Sequence, residues 1–153
     1  MSLKERITED MKTAMRARDS ARLGTIRLLL AAAKQKEVDD RLVLDDSAMI
    51  AIIDKLIKQR RDSVAAFTQA QRLDLAEREA AEITVLQAYL PERLNERDIT
   101  EQVQRLVVEF GTTLGRDAGP GDMGKVMALV KARLAGKADM SQLSAAVKSA
   151  LAH

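Results

Sequence analysis

Apolar side chains return along this chain at alternating steps of three and four residues, the repeat of one helix face. Nowhere do they alternate singly, as a half-buried strand requires. A first helix is expected from about Leu3 to Ala17, with Leu3, Ile7, Met11 and Ala14 on its face. Asp19 or Ser20 can cap a second, striped by Leu23, Ile26, Leu29, Leu30 and Ala33 and ending near Glu37. Beyond a polar loop from Val38 to Leu44, Asp45 or Asp46 can cap a long third helix carrying Met49, Ile52, Ile53, Leu56, Val64 and Phe67, which fades near Gln71. Asp74 is the expected cap of a fourth, with Ala76, Ala80, Ile83, Leu86 and Leu90. Pro91 stops it, because the residue before a proline is pushed out of the helical region.

Three more helices follow. Asn95 caps a fifth, striped by Ile99, Val103, Leu106, Val107 and Phe110, which Gly111 is expected to close in the left-handed conformation. Thr112 to Gly121 has no periodicity and reads as a loop. Asp122 is the expected cap of a sixth helix, with Met123, Val126, Met127, Val130 and Leu134 as its stripe and Gly136 after it. Asp139 caps the last, with Gln142 at the capping-box position and Met140, Leu143, Val147 and Leu151 facing inward. The fold class is therefore all-α, in two helical parts: four helices in residues 1–91 and three in 92–153, divided at Pro91.

GPGDMGKV, from Gly119 to Val126, fits the spacing of a phosphate-binding loop but fails its chemistry. Val126 stands where a Ser or Thr should hold magnesium, Asp122 puts a negative charge in the cradle, and a helical stretch rather than a strand precedes it. The glycines belong instead to a loop and to the first turn of a helix. Gly124 is a poor helix residue, which suggests the close approach of another backbone, from a neighbouring helix or a ligand.

Composition narrows the chemistry. The 153 residues contain no Cys, and the only His is His153, so thiolate nucleophiles, an internal His base and a His/Cys zinc cluster are excluded. Three aromatics, Phe67, Tyr89 and Phe110, are too few for base-stacking platforms. The longest purely apolar run, Leu28 to Ala33, is far too short to span a bilayer, and no apolar stretch follows the first basic residues as a signal peptide needs. The expectation is a soluble, cytoplasmic protein with no membrane role, no cofactor and no metal.

Charge is unevenly distributed. Between Lys12 and Lys36 seven bases face only Asp19, and between Asp74 and Glu101 eight acids face three arginines. After Gly121 the excess is basic again: Lys125, Lys131, Arg133, Lys137 and Lys148 against Asp122 and Asp139. A polyanion could meet both basic regions, or the acidic region could pair with them. Lys55, Lys58, Arg60 and Arg61 form the densest basic cluster, but Asp54 and Asp62 lie beside it and Arg60 falls in the apolar row, which predicts a paired, packing role for Arg60. Glu79 and Glu82 share a face without a third ligand and read as surface partners rather than a cation site. Met123, Met127 and Met140 are expected to fill core.

Five stretches, in order, carry a resemblance: RLLLAAAKQKEVD (Arg27 to Asp39), KLIKQRRDSV (Lys55 to Val64), RLDLAEREAAE (Arg72 to Glu82), YLPERL (Tyr89 to Leu94) and GDMGKVM (Gly121 to Met127) continuing to LAGKAD (Leu134 to Asp139). Together the chain resembles the GatB/YqeY family over nearly its whole length. KADMSQL departs from the pattern in placing Met140 where a Gly would follow the Asp. The resemblance implies two helical domains. The second is similar to the tail of the GatB subunit of tRNA-dependent amidotransferases, and that tail touches the tRNA body and carries no chemistry. It also implies a link to tRNA-dependent amidation or aminoacylation, with tRNA and an amidotransferase or aminoacyl-tRNA synthetase as partners. The catalytic cradle of GatB has no counterpart here, so glutamine-dependent carbon–nitrogen ligation would belong to a complex and not to this polypeptide.

For Gly124, Lys125, Lys131, Arg133, Lys137 and Lys148 two readings stand side by side: a patch on the tRNA backbone, or an ordinary solvated helix surface. For the whole protein the alternative to a tRNA-binding module is a helical protein–protein scaffold.

Overall fold

The computed structural model describes residues 1–152. Seven α-helices run in order among them: α1 (Leu3–Arg16), α2 (Ser20–Asp40), α3 (Asp46–Gln69), α4 (Leu73–Gln87), α5 (Glu96–Leu114), α6 (Met123–Arg133) and α7 (Met140–Leu151). A short 3-10 turn, Pro120–Asp122, precedes α6, and there is no strand among the described residues. The fold class is all-α, as the periodicity predicts. The helices group into two compact units, Met1–Leu90 and Pro91–His153.

In the first unit the apolar stripes of α1 to α4 meet around Ile7, Ile26, Leu29, Met49, Ile53, Ile57 and Leu86, all essentially without solvent exposure. Polar side chains fix the helix ends. The Ser2 hydroxyl accepts the Glu5 N–H while Glu5 reaches back to the Ser2 N–H. Asp19 accepts from the Arg22 N–H, and Asp45 from the Ala48 N–H at 2.8 Å. Asp46, the alternative cap, instead accepts the Leu3 N–H at 2.9 Å and so ties the start of α1 to that of α3. Arg60 does pair inward: its Nε lies 2.8 Å from Glu82 on α4, and its side chain is 11% exposed. Tyr89, buried just past α4, donates its hydroxyl to Asp10 at 2.7 Å, and the Arg6 guanidinium stacks over its ring.

Three boundaries differ from expectation here, one being the end of α4, which closes at Gln87, before Leu90 and the proline expected to stop it. α2 continues to Asp40 and stops where Arg41 turns left-handed (φ 54°), so the first three residues of the expected loop are helix. α4 starts at Leu73 behind Arg72, and no side chain caps it; Asp74 sits in its first turn, held by the Arg72 guanidinium. Ala80, placed on the inner stripe by spacing, is exposed.

In the second unit α5, α6 and α7 enclose Ile99, Val103, Leu106, Val126, Val130, Leu134, Leu143, Val147 and Leu151. Asn95 caps α5 through the Asp98 N–H at 2.8 Å. Gly111 does not end this helix. It lies inside it, buried, and a Cβ there would stand 2.9 Å from the Arg116 carbonyl oxygen. Gly115 takes the left-handed position (φ 73°), with Gly115 N–H to Thr112 O and Arg116 N–H to Gly111 O closing the end. At Asp139 the Gln142 side chain accepts the backbone N–H, as the capping-box spacing predicts. Met123 and Met127 pack on the core, but Met140, the first residue of α7, is half exposed.

Candidate nucleic-acid interface

The stretch that resembles a phosphate loop is occupied by its own acid. The Asp122 carboxylate accepts the Gly119 N–H at 2.9 Å and takes both guanidinium nitrogens of Arg116 at 3.0 and 3.1 Å. These contacts, Arg116 first and Gly119 next, hold the Asp122 carboxyl below its usual range. One backbone donor of this loop, the Gly119 N–H, is therefore satisfied internally. Asp122 closes the 3-10 turn and does not cap α6, where no side chain bonds the first free N–H groups.

α6 divides sharply into faces. Val126 and Val130 are fully buried. At about 100° per residue, Gly124, Ala128 and Ala132 form a row of small residues on the opposite side, with Lys125 along one edge and Lys131 along the other; all five are exposed. Spacing of four from Gly124 was the signal that finds Ala128 and Ala132, which the charged residues alone do not reveal. Of the two partners suggested for Gly124, the neighbouring helix is corrected: no residue lies within 4 Å of where its Cβ would be.

The six residues singled out by sequence are not equivalent. Gly124, Lys125 and Lys131 share the exposed face of α6, and neither lysine makes an ion pair among the described residues. Arg133 turns away to Glu109 on α5 at 3.0 Å. Lys137, half-buried, lies in the link before α7, and its carbonyl accepts the Leu94 N–H at 2.8 Å. Lys148 is exposed on the last turn of α7. Lys131 and Arg133 also sit where the carbonyl end of the α6 dipole favours cations.

A shallow cleft of about 380 Å³ lies beside the end of α5, lined by Val107, Val108, Gly111 and Arg116, whose guanidinium is already committed to Asp122. No cluster of His, Asp or Glu among the described residues could hold a metal ion, and Glu82 is engaged by Arg60. His153 lies outside the described residues. No helix among them is long and apolar enough to cross a membrane.

Comparison with known proteins now bears on identity. The chain matches the family described as Yqey-like protein over residues 4–151. It is 40% identical over 107 residues to "Altered inheritance of mitochondria protein 41, mitochondrial" of Lachancea thermotolerans, covering 68% of this chain and 57% of that protein. The Kluyveromyces lactis protein of the same name is 43% identical over 84 residues, 54% of this chain and 45% of the relative. The one from Pyrenophora tritici-repentis is 34% identical over 130 residues, 84% of this chain and 71% of the relative. The chain thus spans about half the length of most curated relatives it matches.

These relatives overturn the cytoplasmic expectation, since each is named as mitochondrial. Apolar signal stretches and bilayer spans mark secretory and membrane proteins, whereas mitochondrial transit peptides are amphipathic and Arg-rich, so the lack of an apolar stretch does not bear on mitochondria. The family match runs from α1 into the end of α7 through both helical units. On that match, supported by a relative aligned over 84% of it, the chain belongs to the YqeY-like protein family.

Proposed function

We propose that this YqeY-family chain is a tRNA-binding accessory module that acts by docking rather than by catalysis, with the exposed face of α6 as its contact. The observation that carries the reading is the face itself: two exposed lysines flank a row of Gly124, Ala128 and Ala132. Small residues let the helix backbone approach a surface closely, and the lysines then reach phosphates on either side. The wide, shallow minor groove of A-form RNA suits such a helix, and contacts of this kind read shape and backbone rather than sequence. Lys148 and Lys137 extend the positive charge of the unit, while Arg133 contributes less because Glu109 already neutralises it. A role beside an amidotransferase or aminoacyl-tRNA synthetase follows from the resemblance to the GatB tail and is part of the proposal.

The test is binding of bulk tRNA and of duplex DNA across a salt series by wild type, Lys125→Glu/Lys131→Glu, and Arg133→Glu. Each phosphate contact contributes about 0.7–0.9 to the slope of log affinity against log salt. Loss of two contacts should lower the slope by about 2, with weaker binding at all salts. Arg133→Glu should have the smaller effect. Equal binding by wild type and the double variant, or no preference for tRNA over DNA, would sink the assignment.

A further inference from the structure

α2 carries two apolar faces, and the fold uses only one. Thr25, Ile26, Leu29 and Ala33 are buried in the first unit. On the other side Ala21, Gly24, Leu28, Ala31, Gln35 and Val38 recur at strict alternating steps of three and four, and every one is exposed. Leu28 is 54% exposed and Val38 60%. A seam of period 3.5 is the pattern by which one helix receives another. Gly24 weakens a helix interior, yet nothing lies within 4 Å of its absent Cβ, so the fold of this chain does not require it.

Charge identifies the occupant. Along one flank, at the positions just before Leu28 and Gln35, stand Arg27 and Lys34, exposed and making no ion pair among the described residues. The other flank carries Asp39, whose carboxylate already accepts from Gln35 at 2.8 Å. Lys36 is paired with Asp40, and Glu37 with Lys4, away from the seam. We propose that the solvent face of α2 is a docking surface for an amphipathic helix of another protein bearing a row of acidic residues. RNA would gain nothing from Leu28 and Val38. A membrane would be poorly served by Gly24, Ala31 and Gln35 at the centre of the face. A second copy meeting this surface through its own α2 would bring the same excess of positive charge. The surface lies in the first unit and is independent of the tRNA reading of α6.

The test uses the full chain and two synthetic helical peptides of about three heptads, with Leu and Ala on the seam and either Glu or Lys on its flanks. Wild type should bind the Glu peptide and not the Lys peptide. Gly24→Gln/Ala31→Gln places long side chains on the seam at two exposed positions, with open space around a Cβ at Gly24, and should weaken binding about tenfold or more, the effect of losing a central anchor. Arg27→Glu/Lys34→Glu should reverse the preference between the peptides. Circular dichroism establishes that both variants remain folded. The proposal is overturned if the peptides bind alike or not at all, or if the filled seam binds as wild type does. It is equally overturned if the same substitutions abolish a wild-type dimer in sedimentation, or abolish binding to phosphatidylglycerol vesicles.

Discussion

Two helix-interior glycines in this protein should respond to alanine in opposite directions. Gly24 in α2 has open space around its missing Cβ. Alanine there gains only the difference in helix propensity and should stabilise the first unit by about 1 kcal/mol. Gly111 in α5 carries the same propensity gain, but its Cβ would meet the Arg116 carbonyl oxygen at 2.9 Å and the Ala118 nitrogen at 3.4 Å. Both are backbone atoms, and the segment is held by the Arg116 N–H to Gly111 O bond and by Arg116 on Asp122, so it has little freedom to retreat. Overpacking against such a neighbour costs about 1–3 kcal/mol, and the upper half of that range leaves a net loss of about 1–2 kcal/mol. The two units need separate probes, because one transition midpoint need not describe both. Methyl resonances of Ile7 and Ile53 report the first unit and those of Val107 and Val126 the second, followed through urea. If Gly111→Ala raises the midpoint of the second unit, the close approach of the loop after α5 does not explain that glycine.

Other perturbations test the remaining polar and backbone features. Burial first, and then the hydrogen bond to Asp10, push the Tyr89 phenol up to about 12. The unfolded chain therefore loses this proton first, and the stability of the first unit should fall as pH rises from about 10 toward 12. Tyr89→Phe should remove that dependence and lower stability at neutral pH by about 1 kcal/mol through the lost bond; urea titrations at several pH values decide. Arg60→Ala should cost about 2 kcal/mol by stranding Glu82, whereas Arg60→Met/Glu82→Leu should be near neutral, a non-additivity that a double-mutant cycle measures. Arg18, Arg41 and Gln71 all have positive φ at helix ends. Replacing each by Gly should raise stability by up to about 1 kcal/mol, and a loss in thermal melts would contradict the strain argument.

The pattern of residues alone determined the helices and many of their caps. These depend on interactions within a few positions: Asp19, Asp45 and Asn95 accept N–H groups three residues on, and the stripes through Ile7, Ile53 and Val103 mark the buried sides. Arg60 was legible as an inward partner because it interrupts an apolar row. Tertiary structure decided what spacing cannot encode. By sequence Gly111 is the expected end of α5; only the return of Arg116 over the helix assigns Gly111 to close packing and Gly115 to the left-handed turn. Asp122 looked like a cap until Arg116 and the Gly119 N–H claimed its carboxylate. Leu28 to Ala33 reads as one apolar run, yet packing buries Leu29 and Ala33 and leaves Leu28 and Ala31 facing water. A helix has one sequence but several faces, and which face is covered depends on neighbours distant in the chain.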